Sequence, residues 1–348
     1  MEIKKKNVKF SIIVYSTLII LAIIILVSGF LIYEAGMNNG FTQKVTRLIH
    51  FPAAVINSRD FVTISEFNAD LNSVRRFYEN QDFSETGLRV DFTTEDGQKR
   101  LKIKEKNLLN KMIENRIISK LAEGRGIKIT EEMVAQEVDR KINEYGTRDL
   151  VLKNLQNLYG WDLEKFQEKI VKPDLYKEAL EKSVRESDQN ITEAKNKITA
   201  ALGELQSKKD FVEVVKKYSD GDSAKNGGEL GWLTTDQMIP EISMATVQLK
   251  KGEESGIVES PLGFHIVDVE DKKTEDGTDK IRIRQIFVRS KNFSDWLLEQ
   301  EKNFKIYIPL KDYYWDNSSQ SVQFSKPELR DFEDNLEKNS PDDISIMF

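Results

Sequence analysis

The sequence predicts an α+β protein that carries one membrane-spanning helix at its N-terminus. Residues 10–33 contain no charged side chain and are rich in Ile, Leu and Val. Between residues 65 and 182, apolar side chains recur at three-to-four spacing, which is typical of amphipathic helices. From residue 255 onward, short segments of alternating polarity are separated by glycine-containing turns, and these predict the strands of a small antiparallel sheet.

Composition limits the kinds of protein that this chain can be. Its 348 residues are 39% hydrophobic and 32% charged, which is typical of folded domains. The net charge of −6 argues against a nucleic-acid binder, because such a protein needs a basic face to displace counterions. The chain has no cysteine and only two histidines, His50 and His265, which excludes disulfides, zinc–thiolate sites and multi-histidine metal sites. We expect neither a metal nor a cofactor.

Residues 10–33 are predicted to cross the membrane. As a helix, this segment would be about 36 Å long, enough for the apolar layer of a bilayer. The lysines of residues 1–9 form a positive flank that should stay in the cytoplasm as a short head and place residues 34–348 outside. A cleaved signal peptide and a buried core helix are the alternatives, but signal peptides usually have a shorter apolar core and soluble helices have a polar face. The prediction is a single-pass protein of the cell membrane.

Residues 34–186 are predicted to form a mainly helical domain. It should begin with a short hairpin at 51–65 and a helix capped by Ser65. Residues 80–103 are polar and loop-like, with a hairpin turn expected at Glu95–Gly97.

Four helices should follow that loop. A long amphipathic helix around Leu108–Leu121 should stop near Gly124, and Thr130 should cap the next helix. A third is expected from about Arg148 to Tyr159, and Asp162 should cap a fourth that breaks at Pro173. The apolar faces of these helices are expected to form the domain core, with a groove for client chains as the alternative reading.

This region resembles the N-terminal domain of SurA-like and PrsA-like extracytoplasmic foldases. The resemblance spans about residues 51–182 and rests on AVINSRDFVTISEF, LLNKMIENRIISKLAEGRGIKITEEMV and LYGWDLEKFQEKI in that order. It implies a domain that binds partly folded polypeptides.

The chain changes character after Ile191. Thr192 and Asp210 should cap two helices, and Thr235 a third that contains Met238 and has Pro240 in its first turns. Between them, Asn226-Gly227-Gly228 forces a tight turn. Strands are expected at 255–260 and 264–270.

Residues 192–271 resemble a parvulin-type peptidyl-prolyl cis–trans isomerase. The motifs are DFVEVVKKYSDGDSAKNGGELGWL, the pair Gln237-Met238, and LKKGEESGIVESPLGFHIVDVED. The resemblance implies a four-stranded antiparallel sheet surrounded by helices, here assigned to residues 187–290, and an enzyme that rotates prolyl amide bonds.

The first strand of the parvulin sheet is missing from its usual place. Residues 181–190, EKSVRESDQN, are too charged and turn-prone to form it. Residues 281–288, IRIRQIFV, alternate correctly and should pair with 264–270 through a turn at Asp276-Gly277, which would make the domain circularly permuted. The alternatives are that 281–288 begins a second, degenerate parvulin unit or pairs elsewhere.

The resemblance also implies the site residues. Leu230, Met238 and Ile242 would line the proline pocket with Trp232 beside them, and Ile242 replaces an aromatic residue of the family. His265 matches the histidine of the last strand, and Gln285 would replace its partner histidine. Ser260 matches a hydroxyl position. The loop position that is Cys or Asp in active members falls on Gly221, with Asp222 beside it. The structural alternatives are that His265 is a hydrogen-bonded core residue and Asp222 a turn residue.

The predicted function is a membrane-anchored extracytoplasmic foldase that acts on unfolded or exported polypeptides. Isomerisation should be weak or absent because of Gly221, Ile242 and Gln285. The alternative is a holdase chaperone of the same architecture that binds clients without catalysis. Residues 291–348 are assigned to a C-terminal extension, with a short helix near Phe293, a strand at 304–310 and a flexible acidic tail after Gln320.

Overall fold

The computed structural model describes residues 10–80, 91–275 and 277–339. The N-terminal half is mainly helical and contains α1 Phe10–Tyr33, α2 Gly40–Leu48, β1 Pro52–Ile56, β2 Asp60–Thr63, α3 Ile64–Asn80, α4 Glu95–Gly124, α5 Glu131–Tyr145, α6 Arg148–Asn154, α7 Leu163–Phe166 and α8 Lys172–Ser187. The C-terminal half contains α9 Gln189–Gln206, α10 Phe211–Tyr218, β3 Glu229–Leu233, α11 Pro240–Gln248, β4 Val258–Ser260, β5 Gly263–Glu275, β6 Thr278–Arg289, α12 Phe293–Glu301, β7 Ile306–Tyr307, β8 Tyr313–Asp316, β9 Ser321–Phe324 and α13 Pro327–Asn339.

The chain divides into two compact units. The first comprises residues 1–178 and 301–348, and the second comprises residues 179–300. The mixed helices and antiparallel sheets confirm the predicted α+β class. Among the described residues, one helix, α1, is long and apolar enough to cross a membrane.

The first unit begins with the predicted hairpin, in which β1 pairs antiparallel with β2. The helix after it starts two residues earlier than predicted, and its cap is Thr63 rather than Ser65. The Thr63 hydroxyl accepts from the backbone N–H of Glu66, while the Glu66 carboxylate accepts from the backbone N–H and hydroxyl of Thr63. This reciprocal pair satisfies two otherwise unpaired groups, which Ser65 inside the first turn could not do.

The predicted hairpin turn at Glu95–Gly97 was wrong, because these residues form the first turn of α4. The Thr94 hydroxyl caps the helix by accepting from the Gly97 N–H, and two acidic residues complement the helix dipole. A Cβ on Gly97 would lie 1.8 Å from the Asp91 carbonyl oxygen. Glycine is therefore present for close backbone approach, not for a turn.

The expected break at Pro173 is absent. Residues 163–187 stay helical because the segment Gln167–Val171 widens to a π-helix directly before α8, in which Pro173 is the second residue. A local π insertion changes the hydrogen-bonding register and accommodates a proline that has no N–H to donate. The predicted caps Thr130 and Asp162 are confirmed.

The C-terminal segment of the chain folds into the first unit. Strand β7 pairs with β1, so the sheet order is β2-β1-β7. Strands β8 and β9 form a hairpin, and α13 follows. The prediction of a flexible tail after Gln320 was therefore wrong for residues 321–339, because Val322, Phe324 and Leu329 are buried and anchor this acidic segment. Residues 340–348 lie outside the described residues.

The second unit is a four-stranded antiparallel sheet with helices around it. Its strand order is β3-β6-β5-β4. Asp210 caps α10 as predicted, whereas α9 starts at Gln189 and is capped by Asp188 instead of Thr192. The Asp188 carboxylate accepts from two backbone N–H groups, including that of Ile191.

The late strand β6 occupies the centre of this sheet, as predicted. It pairs with β3 on one side and with β5 on the other, with His265 opposite Phe287 and Val267 opposite Gln285. The hairpin turn is tight, with Glu275 opposite Thr278 and Gly277 at φ 74°; Asp276 lies outside the described residues. The pairing is confirmed, and the circular permutation relative to the family stays a prediction.

Candidate isomerase site

The site is built on one face of the β5–β6 hairpin. Side chains alternate across a strand, so His265, Val267 and Val269 of β5 share a face. Their cross-strand partners Phe287, Gln285 and Ile283 share it as well. Apolar side chains from the segment before α11 and from α11 itself pack on this face, and the buried cluster comprises Met238, Ile242, Val267, Val269, Ile281 and Ile283.

Three predicted residues meet in a hydrogen-bonded chain. The Nε2 atom of His265 lies 2.8 Å from Ser260 Oγ, and its Nδ1 atom lies 3.2 Å from Gln285 Oε1. Because an amide oxygen only accepts, Nδ1 carries the proton and Nε2 accepts from the Ser260 hydroxyl. The backbone N–H of Leu262 donates to the same Ser260 oxygen at 3.1 Å. The chain runs in one direction and fixes the tautomer of the imidazole.

The environment of His265 keeps its imidazole uncharged. The residue is buried, at 3% exposure, and its ring stacks on Phe287 with the ring centroids 4.8 Å apart. Burial lowers the pKa of His265 because the imidazolium loses its hydration, while the hydrogen bond to Gln285 and the charge of Glu241 act in the opposite direction. An imidazole with two hydrogen bonds and a lowered pKa positions its neighbours.

Met238 and Ile242 lie in the apolar cluster on the same face of the sheet. Met238 precedes α11 and is not inside it as predicted, since the short helical turn Thr235–Gln237 is capped by Thr234 and ends before α11 starts at Pro240. Thr246 links the two, because its hydroxyl contacts the Met238 sulfur and donates to the Ile242 carbonyl.

Leu230, Trp232 and Asp222 are not brought to the hydrogen-bonded chain. Leu230 lies at a bulge of β3 and is 37% exposed. Leu233 packs on the apolar cluster. Because neighbouring side chains of a strand point to opposite faces, Trp232 lies on the other face of the sheet. The Lys273 ammonium lies over its ring there. Asp222 begins an exposed helical turn. The alternation of side chains along β3 decides on which face of the sheet Trp232 lies. The sequence motif alone did not reveal that face.

The loop before β3 positions the central strand. A Cβ on Gly228 would lie 2.4 Å from the Gln285 carbonyl oxygen, and the Gly228 carbonyl accepts from the Gln285 N–H at 2.9 Å. Earlier in the loop, the Ser219 hydroxyl accepts from the Phe287 N–H. Gly221 follows, and a Cβ there would touch Phe287 at 3.6 Å. Gly228 thus serves close backbone packing against β6.

Two residues of the site were missed by sequence reasoning. Phe287 stacks on the imidazole, and its place opposite His265 was readable once the β5–β6 pairing was assumed. Glu241, at the start of α11, raises the pKa of His265, and its Oε2 atom is buried without a hydrogen-bond partner among the described residues. No sequence signal marked Glu241, because its proximity to His265 depends on how α11 packs.

Two family profiles match the chain. A SurA-like N-terminal domain matches residues 4–187, more than half of the sequence. The PPIC-type PPIASE domain of the rotamase family matches residues 177–271. The chain belongs to the family of foldases that combine these two domains. It is a parvulin-type extracytoplasmic foldase with a peptidyl-prolyl isomerase domain. The second match ends before β6 begins, so the strand at the centre of the sheet lies outside it.

Curated relatives of the chain carry the name foldase protein PrsA. The protein from Geobacillus kaustophilus is 28% identical over 221 residues, which cover 58% of this chain and 74% of the relative. That from Staphylococcus aureus strain MRSA252 is 26% identical over 253 residues, covering 62% and 78%. A crystal structure of the peptidylprolyl isomerase PrsA from Bacillus anthracis is 21% identical and covers 65% of this chain and 94% of that one, with a TM-score of 0.20.

Proposed function

We propose that the second unit catalyses cis–trans isomerisation of prolyl bonds in unfolded or newly exported polypeptides, at a low rate. Met238 and Ile242 form the floor of the proline pocket, Leu230 its rim, and the chain Ser260–His265–Gln285 its polar wall. The observation that carries the proposal is that this hydrogen-bonded chain and the two apolar residues share one face of the sheet.

The reaction requires little more than such a surface. Rotation of a prolyl amide faces a barrier of about 20 kcal/mol because resonance keeps the bond planar. An apolar floor that excludes water favours the twisted amide, in which conjugation is lost. Among the described residues, Gln285 Nε2 has no hydrogen-bond partner, so it is placed to donate to the carbonyl oxygen of the twisted amide. Neutral His265 holds the Gln285 amide in that orientation.

The low rate follows from three departures from the family pattern, of which Ile242 in place of an aromatic residue is the first. Gln285 stands where the resemblance implies a second histidine, and Gly221 where it implies Cys or Asp. Gly221 has φ −76° and ψ 151°, which any residue adopts, and a Cβ there would make an ordinary contact with Phe287. A side chain such as Asp can therefore be introduced at residue 221 without backbone strain or steric overlap.

The test is an isomerase assay on a proline tetrapeptide with the full chain in nanodiscs. Gln285→Leu removes the amide and should lower kcat/KM about tenfold, the equivalent of one net hydrogen bond. Gln285→His and Gly221→Asp should raise it. Arg284→Gln is the matched control, since residue 284 points to the opposite face. Equal rates for Gln285→Leu and Arg284→Gln would disprove the assigned site, and a wild-type rate typical of the family would disprove the low rate.

The holdase alternative is favoured by a groove in the first unit. It has a volume of about 470 Å³ and lies among α3, α4, the π-helical segment and α8. Apolar side chains such as Val74, Leu108 and Met112 alternate with charged ones such as Glu66 and Arg116 along it. Such a mixed lining suits an extended polypeptide. If client binding lies here, Met112→Lys should weaken suppression of client aggregation while leaving tetrapeptide turnover unchanged, and Gln285→Leu should do the reverse.

We also propose that α1 crosses the cell membrane with residues 1–9 in the cytoplasm and both units outside. The support is the apolar helix together with the lysines before it. Because the chain has no cysteine, single-cysteine variants report topology cleanly. A membrane-impermeant maleimide should label Tyr145→Cys in cells whose outer surface is accessible and should not label Lys5→Cys. Labelling of Lys5→Cys alone would reverse the orientation.

A further inference from the structure

The last turns of α1 are packed against the first unit. Ser28 and Ile32 are buried, at 0% and 5% exposure, whereas side chains from Val14 to Val27 are exposed. The Tyr33 hydroxyl donates to the Pro52 carbonyl, and its ring meets Phe51 edge-on. Lys311 donates to the Glu34 carbonyl just past the helix end. If α1 crosses the membrane, the surface of the first unit around these contacts lies at the level of the lipid headgroups.

Helix α2 begins only seven residues after α1 ends. It buries two threonines and exposes two large apolar side chains. Its buried side includes Thr42 and Thr46, at 2% and 3% exposure, together with Val45. Phe41 and Leu48 are exposed, at 50% and 82%. A helix facing water normally buries its large apolar side chains and exposes its threonines. The exposed face of α2 therefore presents two large apolar side chains whose removal from water would be favourable.

The charged side chains of α2 and of the sequence that flanks it are all positive. Lys44 and Arg47 lie on the same exposed half of the helix as Phe41 and Leu48. Neither cation makes an ion pair with any residue that the structure describes. Between Glu34 and Asp60 the sequence contains no acidic residue, although the whole chain carries a net charge of −6. Cations interleaved with exposed apolar side chains are typical of helices that lie in the interface of an anionic membrane.

We propose that α2 is an interfacial membrane helix. Its Phe41 and Leu48 side chains insert among the acyl chains of the outer leaflet, and Lys44 and Arg47 pair with the phosphates of anionic phospholipids. The inference rests on the proposed crossing of α1. Together with the buried end of α1, this second attachment fixes the first unit against the membrane surface instead of leaving it on a loose tether.

The experiment uses single-cysteine variants of the full chain, labelled with an environment-sensitive fluorophore and reconstituted in nanodiscs. Leu48→Cys tests α2, Leu21→Cys in α1 is the membrane control, and Tyr145→Cys in α5, exposed at 73%, is the aqueous control. The nanodiscs contain either phosphatidylglycerol or phosphatidylcholine, with a fraction of lipid bearing a nitroxide near the headgroup end of the acyl chain. Iodide serves as the aqueous quencher.

The probe at residue 48 should be quenched by the nitroxide lipid and protected from iodide in phosphatidylglycerol, while the probe at 145 shows the reverse. Lys44→Gln with Arg47→Gln should weaken docking of α2, by about fivefold per charge removed, and this effect should vanish in phosphatidylcholine. Iodide access at 48 with lipid quenching at 21 would overturn the proposal and leave the α1 crossing intact. Protection from both quenchers at 48 would mean that protein covers α2 and would also overturn it. Absence of lipid quenching at 21 and 48 would overturn both proposals.

Discussion

The two faces of the sheet in the second unit use different kinds of polar interaction on the same two strands. On the face of His265, a neutral chain of hydrogen bonds lies beside a buried apolar cluster. On the other face, Arg284 pairs with Glu270 at 2.6 Å and with Asp268 at 3.5 Å, and Arg282 pairs with Glu270 at 2.9 Å. A shift of one residue in register would exchange these two sets.

The difference shows what each face can tolerate. The ion pairs on the other face join side chains that are only partly exposed, so both the remaining water and the opposite charges offset the cost of burying them. On the His265 face, a further charge would be buried among apolar side chains without an opposite charge to offset its desolvation, and the buried Oε2 atom of Glu241 already lacks a hydrogen-bond partner among the described residues. The polar groups of the His265 face are linked by hydrogen bonds in which each donor and acceptor role is fixed.

The largest loss of stability is expected from a substitution that separates β6 from the loop before β3, because β6 contributes side chains to both faces of the sheet. Gly228 and Gly231 have φ of 82° and 80°, but only a Cβ on Gly228 meets backbone, whereas Gly231 faces open space. Gly231→Ala should therefore cost about 1 kcal/mol of unfolding free energy for its backbone conformation, and Gly228→Ala about 3 kcal/mol because steric overlap is added. Urea unfolding followed through the His265 NMR signal measures both. Equal losses would show that the contact with Gln285 does not matter.

A smaller loss of stability is expected from a substitution that breaks the Ser260–His265–Gln285 hydrogen bonds but keeps the side-chain volume at residue 265. His265→Phe fills the space but leaves the Ser260 hydroxyl and the Gln285 amide oxygen without their partner, which should cost about 2 kcal/mol. Ser260→Ala with His265→Phe removes one of these unpaired groups and should recover part of the loss. The same urea titration, followed through backbone amide signals, measures the stability of both variants. A double variant no more stable than His265→Phe would contradict the hydrogen bond between Ser260 and His265.

The chain also predicts a pH dependence. Because the folded pKa of His265 is lowered below its ordinary value of 6.5, the unfolded state binds the proton more readily. Stability from this residue is therefore complete above about pH 6.5 and is lost as pH falls from there through the folded pKa. Glu241→Gln removes a charge that raises that pKa, so the His265 titration should move to still lower pH. NMR of the histidine ring protons measures both, with His50 as the internal reference; a shift upward would refute the role of Glu241.

The smallest effect is expected on the ionic face. Arg284→Met keeps most of the side-chain volume and removes the pairing with Asp268 and Glu270, whose side chains are only partly exposed. Burial raises the pKa of Asp268, and the nearby Arg284 partly opposes this. The loss of stability should be no more than about 1 kcal/mol and should shrink at high salt. Isomerase turnover should stay at the wild-type level; a drop as large as that of Gln285→Leu would mean that the two faces are not independent.

Much of the fold follows from patterns that act over a few residues. Asp210, Thr130 and Asp162 are helix caps because each carboxylate or hydroxyl accepts from the backbone N–H three residues ahead. The alternation of residues 281–288 predicted a strand, and its place at the centre of the sheet followed from the strand that the family resemblance left vacant. His265, Ser260 and Gln285 followed from the family resemblance once that strand was placed.

Other features depended on contacts between residues far apart in the chain. Residues 321–339 are acidic and polar overall, yet they are ordered by a few buried side chains whose partners lie in the first unit. The side of the sheet on which Trp232 lies depends on the bulge in β3, and the influence of Glu241 on His265 depends on the packing of α11.

By itself, the sequence determined the type of most elements, several helix caps, the long apolar helix at the N-terminus and, with the family resemblance, the strand that completes the sheet, because periodicity and capping are local. The tertiary structure decided which polar groups became neighbours, which strand face they occupy, and that the end of the chain returns to pair with β1. These depend on packing between segments distant in sequence, which no local pattern of residues specifies.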